Sequence, residues 1–215
     1  MLTNREVTME SQSSGTDTHS KHWVVDYPLE IRWHGRGGQG AVTAAKFLAE
    51  LTVAGGMFVQ SFPQFGSERR GAPIQAFTRI DKKMITLYSS IREPDIAIVL
   101  DKSLLDLPPT LAGLHENRFL LVNAEVDDEH PLLNAESTQF KVAAVPATRI
   151  AMEHLHRPIT NTAMLGAFLG VTGMFELEEV CTLLREKHQG LFRPEIVTAN
   201  INAVSDAWHQ VRQIN

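Results

Sequence analysis

Cysteine is almost absent from this 215-residue chain, which holds one, Cys181. A single thiol excludes an intrachain disulfide and cannot build a four-thiolate iron–sulfur or zinc site. If electrons pass through an assembly containing this chain, another chain carries the cluster. Within the helical run Glu178 to Leu184, Cys181 reads as a small core residue. Long apolar runs are missing as well: Ile96 to Leu100 falls far short of the ~20 residues that span a bilayer. The N-terminus has no apolar core followed by a small-residue cleavage site, so a cytoplasmic protein without membrane contact is expected. Aromatic residues make up only 7% of the chain and do not cluster among its basic residues, which removes the stacking platform that nucleic-acid binding needs. No metal-binding spacing is present, since His154 and His156 are two apart and fall on different faces of a helix. No G-x-S-x-G elbow or recognisable pair of catalytic carboxylates occurs either, so no catalytic residue and no metal ligand is assigned.

What is present fits one globular domain. Hydrophobic residues reach 43% and charged residues 21%, ordinary values for a soluble fold. The first 20 residues are rich in Ser, Thr, Glu and Asp and cannot bury enough surface to offset the entropy of ordering. Residues 1–27 are therefore read as a flexible tail and 28–215 as the domain, with Trp23-Val24-Val25 a candidate docking point for the tail. The formal charge of −5 is unevenly spread: from Arg32 to Arg92 the basic residues are Arg32, Arg36, Lys46, Arg69, Arg70, Arg79, Lys82, Lys83 and Arg92, against Glu50, Glu68 and Asp81. That positive island suits a small polyanion better than a nucleic acid.

The island opens on Trp33-His34-Gly35-Arg36-Gly37-Gly38-Gln39-Gly40, preceded by the strand-like Leu29–Trp33 and followed by Ala41–Leu51, a helix with Val42, Ala45 and Leu48 on one face. Gly35, Gly37 and Gly40 fit G-x-G-x-x-G, in which the glycines make the turn, admit a ligand to the backbone and let helix and strand pack closely. The N–H groups of the helix's first turn then favour an anion, usually phosphate. A turn needed only for packing is the alternative.

The following strand, Met57 to Phe62, ends on Gln60 and Ser61, where a nicotinamide-binding fold would place a ribose-holding Asp or Glu. Next comes Phe65-Gly66-Ser67-Glu68-Arg69-Arg70-Gly71, whose two guanidinium groups suit an additional ribose phosphate, as in coenzyme A or NADP. Solvated surface arginines are the competing reading. Ile74–Ile80 and Met84–Tyr88 read as the two strands of a β-hairpin around Asp81-Lys82-Lys83. The runs Pro94–Asp101, Arg118–Asn123 and Phe140–Val145 read as central strands covered on both faces, with Asp101 and Asn123 at their carboxyl ends facing a ligand crevice or forming turn caps. The last third is helical: 147–156, 161–170, 176–187 and 194–213. There Asn161 is a second ligand contact or an N-cap, and Gly166, Ala167 and Gly170 permit a close helix neighbour. Together these elements predict a Rossmann-like three-layer α/β domain with a mostly parallel mixed sheet and a helical C-terminal third.

Four ordered motifs, His34 to Val42, Ser67 to Gly71, Pro94-Asp95, and Ile159 to Ala167, resemble the gamma subunit of pyruvate:ferredoxin oxidoreductase and related 2-oxoacid:acceptor oxidoreductases across about Glu30 to His209. The resemblance implies a complex that uses thiamine diphosphate and Mg to decarboxylate a 2-oxoacid, pyruvate by default, forms the acyl-CoA and reduces ferredoxin or flavodoxin. It also implies alpha and beta partner subunits that hold the thiamine cofactor and a delta subunit that carries [4Fe–4S] clusters. On this sequence it assigns coenzyme A contacts to Gly35, Gly37, Gly38, Gly40, Arg69, Arg70 and Asn161. A stand-alone NADP-dependent oxidoreductase and a non-catalytic scaffold subunit of the same complex are the rival readings.

Overall fold

A computed structural model describes residues 22–64, 71–125, 127–134 and 139–214. Arg69 and Arg70, and the proposed tail up to residue 20, lie outside the described residues.

The order of elements is β1 (Leu29–Arg36), α1 (Ala41–Ala54), β2 (Phe58–Pro63), β3 (Pro73–Asp81), β4 (Ile96–Val99), α2 (Pro108–Leu111), β5 (Phe119–Asn123), α3 (Pro131–Asn134), β6 (Lys141–Val145), α4 (Ala147–Leu155), α5 (Asn161–Thr172), α6 (Leu177–His188), α7 (Pro194–Gln210) and β7 (Arg212–Gln213). They build one seven-stranded sheet in the order β2-β3-β1-β4-β5-β6-β7. The neighbours β1, β4, β5 and β6 are parallel, while β3 runs antiparallel to both β1 and β2, and β7 antiparallel to β6. This is the mixed, mostly parallel sheet that the sequence leads one to expect.

Side-chain alternation on the central strands sorts two cores. Leu29, Ile31, Trp33, Ile96, Ile98, Leu121, Ala143 and Val145 face α1, α5 and α7. Ala97, Val99, Leu120, Val122, Val142 and Ala144 face the opposite layer, with Leu104, Leu105, Leu114 and Leu133. A strand apolar on both faces must be covered twice, and the three layers follow. Helix α5 is buried almost all round. It meets α7 through Gly166 and Gly170, where an added Cβ would lie 2.3 Å from the Val204 carbonyl oxygen and 2.8 Å from that of Trp208. The indole of Trp23 packs into the first core, stacked on Phe119 at 4.5 Å, and its backbone N–H donates to the Val171 carbonyl.

Three local expectations are corrected. Met84–Tyr88 forms no strand, because β3 already has β1 on one edge and β2 on the other and offers no edge for a hairpin partner. Instead the Arg79 guanidinium holds the carbonyls of Leu87 and Ser89 and lays this segment across the sheet. Val42 points outward on α1, whose buried stripe is Ala41, Ala44, Ala45, Leu48 and Leu51. β1 continues to Arg36, so Gly35 sits in the strand and the turn is made after it.

Candidate functional site

The turn after β1 lies where the chain crosses from one half of the sheet to the other, since β1 has β3 on one side and β4 on the other. In open α/β sheets this is where a crevice forms at the carboxyl ends of the strands. Gly38 and Gly40 have φ of 101° and 84°, a region that side-chain-bearing residues rarely adopt. Gly40 caps α1 with no side chain of its own to bond the helix's first N–H groups. A Cβ on Gly40 would lie 2.9 Å from the Asn161 amide nitrogen, and one on Gly35 3.1 Å from the Ala41 Cβ. The first glycine therefore serves strand–helix packing, and the last admits the Asn161 side chain.

Two backbone bonds tie the turn to the residues that follow Arg70. Gly37 N–H donates to the Ala72 carbonyl at 3.0 Å, and Gly71 N–H donates to the Gly37 carbonyl at 3.2 Å. Arg36 adds a third link, its Nη1 donating to the Gly71 carbonyl at 3.2 Å. The five residues Gly35, Gly37, Gly38, Gly40 and Asn161 thus converge on one region, and the described chain resumes after Arg70 at a residue bonded to it.

A polar hub that sequence reasoning left as a choice between crevice and cap fixes this region. One oxygen of Asp101, just past β4, accepts from Arg36 Nε at 3.1 Å and Gln39 Nε2 at 3.0 Å. The other accepts from the Ser103 backbone and hydroxyl. The Gln39 carbonyl oxygen in turn accepts from the Arg36 backbone N–H at 2.8 Å. Burial pushes the Asp101 carboxyl upward, but the bonds from Ser103 and Gln39 and the charge of Arg36 outweigh it and hold the group below its ordinary range. Asp101 is both a cap and a wall of the crevice, a cleft of about 370 Å³ that also includes Asn123, Glu125, Thr148 and Arg149. Asn123 likewise ties strand to helix, its amide bonding the Leu100 carbonyl and Thr148.

Asn161 does not act as the N-cap of α5; Thr160 holds that position, its hydroxyl buried and without a hydrogen-bond partner among the described residues. Thr162 next to it donates to Asn200 of α7 at 2.9 Å. Asn161, Thr162 and Asn200 form one end of a second cleft of about 160 Å³, walled by Phe47, Leu165, Leu184 and Ile196.

The positive island is partly internal. Arg32 and Arg79 are 4% and 2% exposed. Arg79 pairs with Glu30 at 2.6 Å and bonds Gln60, which lies in the middle of β2 and serves the sheet. Arg32 bonds the carbonyls of Arg92, Thr110 and Ala112, and its Nε donates to His34 Nε2 at 3.0 Å. Burial, and then the Arg32 charge, push His34 down to about 3, so the imidazole is neutral at physiological pH. Sequence reasoning missed this pair, because its signal is only a charged residue on the alternate face of a central strand.

The chain matches the family model described as pyruvate ferredoxin/flavodoxin oxidoreductase over residues 30–209. It is 47% identical over 184 residues to the pyruvate/ketoisovalerate oxidoreductases common subunit gamma of Pyrococcus abyssi, covering 86% of this chain and 97% of that protein. It is 40% identical over 186 residues to the pyruvate synthase subunit PorC of Methanothermobacter thermautotrophicus, covering 86% and 97%. The crystal structure of pyruvate oxidoreductase subunit PORC from Thermotoga maritima superposes with a TM-score of 0.74 at 36% identity, covering 87% of this chain and 98% of that one.

Proposed function

The chain belongs to the pyruvate ferredoxin/flavodoxin oxidoreductase family, as a gamma subunit of a multi-subunit enzyme, and from that premise we propose that it holds coenzyme A for acyl transfer. The complex would take pyruvate as its 2-oxoacid, contain alpha, beta and delta partners, and pass electrons to ferredoxin or flavodoxin. Thiamine diphosphate with Mg supplies decarboxylation chemistry when bound, and both it and the [4Fe–4S] clusters are assigned to partner subunits. Cys181, the chain's one thiol, is buried and raised by that burial, which suits a core residue rather than a ligand.

The observation that carries the reading is the pair of backbone bonds between Gly37 and the Gly71-Ala72 segment. They hold Gly71, the residue after Arg70, against the glycine turn, which supports a reading in which Arg69, Arg70 and the first-turn N–H groups of α1 share one phosphorylated ligand. Asn161, against Gly40, supplies an amide at the same place. Asp101 brings a negative charge close to the turn, but Arg36, Gln39 and Ser103 occupy it, so it does not oppose an anion unpaired. The contribution to catalysis is orientation: fixing the phosphates limits where the thiol can go.

In the reconstituted complex, Arg69→Ala with Arg70→Ala is expected to raise the KM for coenzyme A by about tenfold or more, the scale of lost charge-assisted bonds. Pyruvate decarboxylation measured without coenzyme A should stay unchanged. An unaltered KM would refute the assignment.

A further inference from the structure

Away from the glycine turn, α4 and α7 pack antiparallel, with Arg149 near Gln210 at one end and His154 near Asp206 at the other. Here Glu153, His154 and Asp206 each bring one ligand-capable atom within 4.8 Å of the others. We propose that this triad is a binding site for a divalent transition cation of the zinc type, clipping α4 to α7.

The donor set is one imidazole nitrogen and two carboxylate oxygens, which suits Zn²⁺ and its neighbours and disfavours Mg²⁺, which takes oxygen ligands in octahedral array. Three protein ligands leave a position for water. The charge balance also calls for a cation. His154 Nε2 lies 2.6 Å from the Asp206 carboxylate, and among the described residues neither Glu153 nor Asp206 forms an ion pair with a lysine or arginine. Two carboxylates gathered with one imidazole leave net negative charge that a divalent ion neutralises. Glu153 and His154 stand in the C-terminal turn of α4, which ends at Leu155, so the negative end of that helix adds to the attraction. The His154 side chain is 18% exposed and that of Asp206 38%, so the site is open to solvent while two packed helices hold it. Binding replaces the His154–Asp206 hydrogen bond, and the two ligand atoms, 2.6 Å apart, separate by a fraction of an ångström to admit metal–ligand distances of about 2.0 to 2.2 Å. Sequence spacing could not reveal the site, because Asp206 lies 52 residues from His154.

The test is calorimetric titration of the untagged full-length chain with ZnCl₂ after chelator treatment, with MgCl₂ as control. One zinc per chain is expected, with affinity reduced at least tenfold in His154→Ala and Asp206→Asn and several-fold in Glu153→Gln, and no heat from Mg²⁺. Cobalt titration should give a visible absorption band that His154→Ala abolishes. Zinc should also raise the Tm of the wild-type chain but not of Asp206→Asn, which keeps the size of the side chain. No zinc heat in the wild-type chain, or unchanged heat in folded His154→Ala and Asp206→Asn, would overturn the proposal.

Discussion

His34 is the residue whose surroundings dictate a measurable pH response. Its folded-state pKa of about 3 lies below the ordinary value of 6.5, so between those limits the unfolded chain binds a proton that the folded chain refuses. Stability is full above pH 6.5 and falls as the pH drops toward 3, by up to about 1.4 kcal/mol per pH unit from this group. His34→Gln keeps an acceptor for Arg32 Nε and removes the proton site. Urea midpoints between pH 7 and 4.5 should therefore fall less steeply in that variant, and equal slopes would show that His34 does not govern the response. Asp101 acts in the same direction, since its lowered carboxyl must be protonated on acidification at the expense of the bonds from Arg36, Gln39 and Ser103. Neither behaviour is legible in the sequence. His34 could be read there only as part of a glycine motif, and Asp101 only as a strand-end acid, because their partners are set by strands that meet across the sheet. Gly40 and Asn161, in contrast, stand out by local pattern alone, and the fold brings them into contact.

At the level of elements, the contact between α5 and α7 is the most demanding. Gly166→Ala would drive a methyl group against the Val204 backbone, which cannot swing aside as a side-chain tip can. A loss of about 1–3 kcal/mol is expected from such overpacking, seen as a Tm lower by several degrees in a thermal melt. The small residues of this helix are readable from the sequence because helical spacing puts Gly166 and Gly170 on one face. The pairing of β3 is not: its alternation announces a strand, but strands of alternating pattern do not name their neighbours, and a polar turn at Asp81-Lys82-Lys83 suggests a local hairpin. Arg79, from inside the sheet, holds down the segment beyond β3. Arg79→Met should therefore free Leu87 and Ser89, with amide hydrogen exchange rising across residues 84–90 while α5 stays protected. Unchanged exchange there would mean that other contacts secure the segment.

For the molecule as a whole, the three-layer plan is legible because β4, β5 and β6 are continuous apolar runs, which only a doubly covered sheet can bury. The extent of the fold toward the N-terminus is less so, since Trp23 stands among residues of tail-like composition. Yet its indole is 4% exposed and stacks on Phe119 at the amino end of β5, while its backbone is fastened to the last turns of α5. Trp23→Ala should cost about 3–5 kcal/mol, the usual penalty for excising a large aromatic from a core, and lower the Tm by roughly 10 °C. Calorimetric melting checks this, and a shift below about 2 °C would deny Trp23 that role. The stretch by which this family is recognised, residues 30–209, is thus shorter than the stretch that keeps the protein standing. Trimming to the homologous boundary would pull out a wedge seated between β5 and α5, and every loop resting on those two elements would loosen with it.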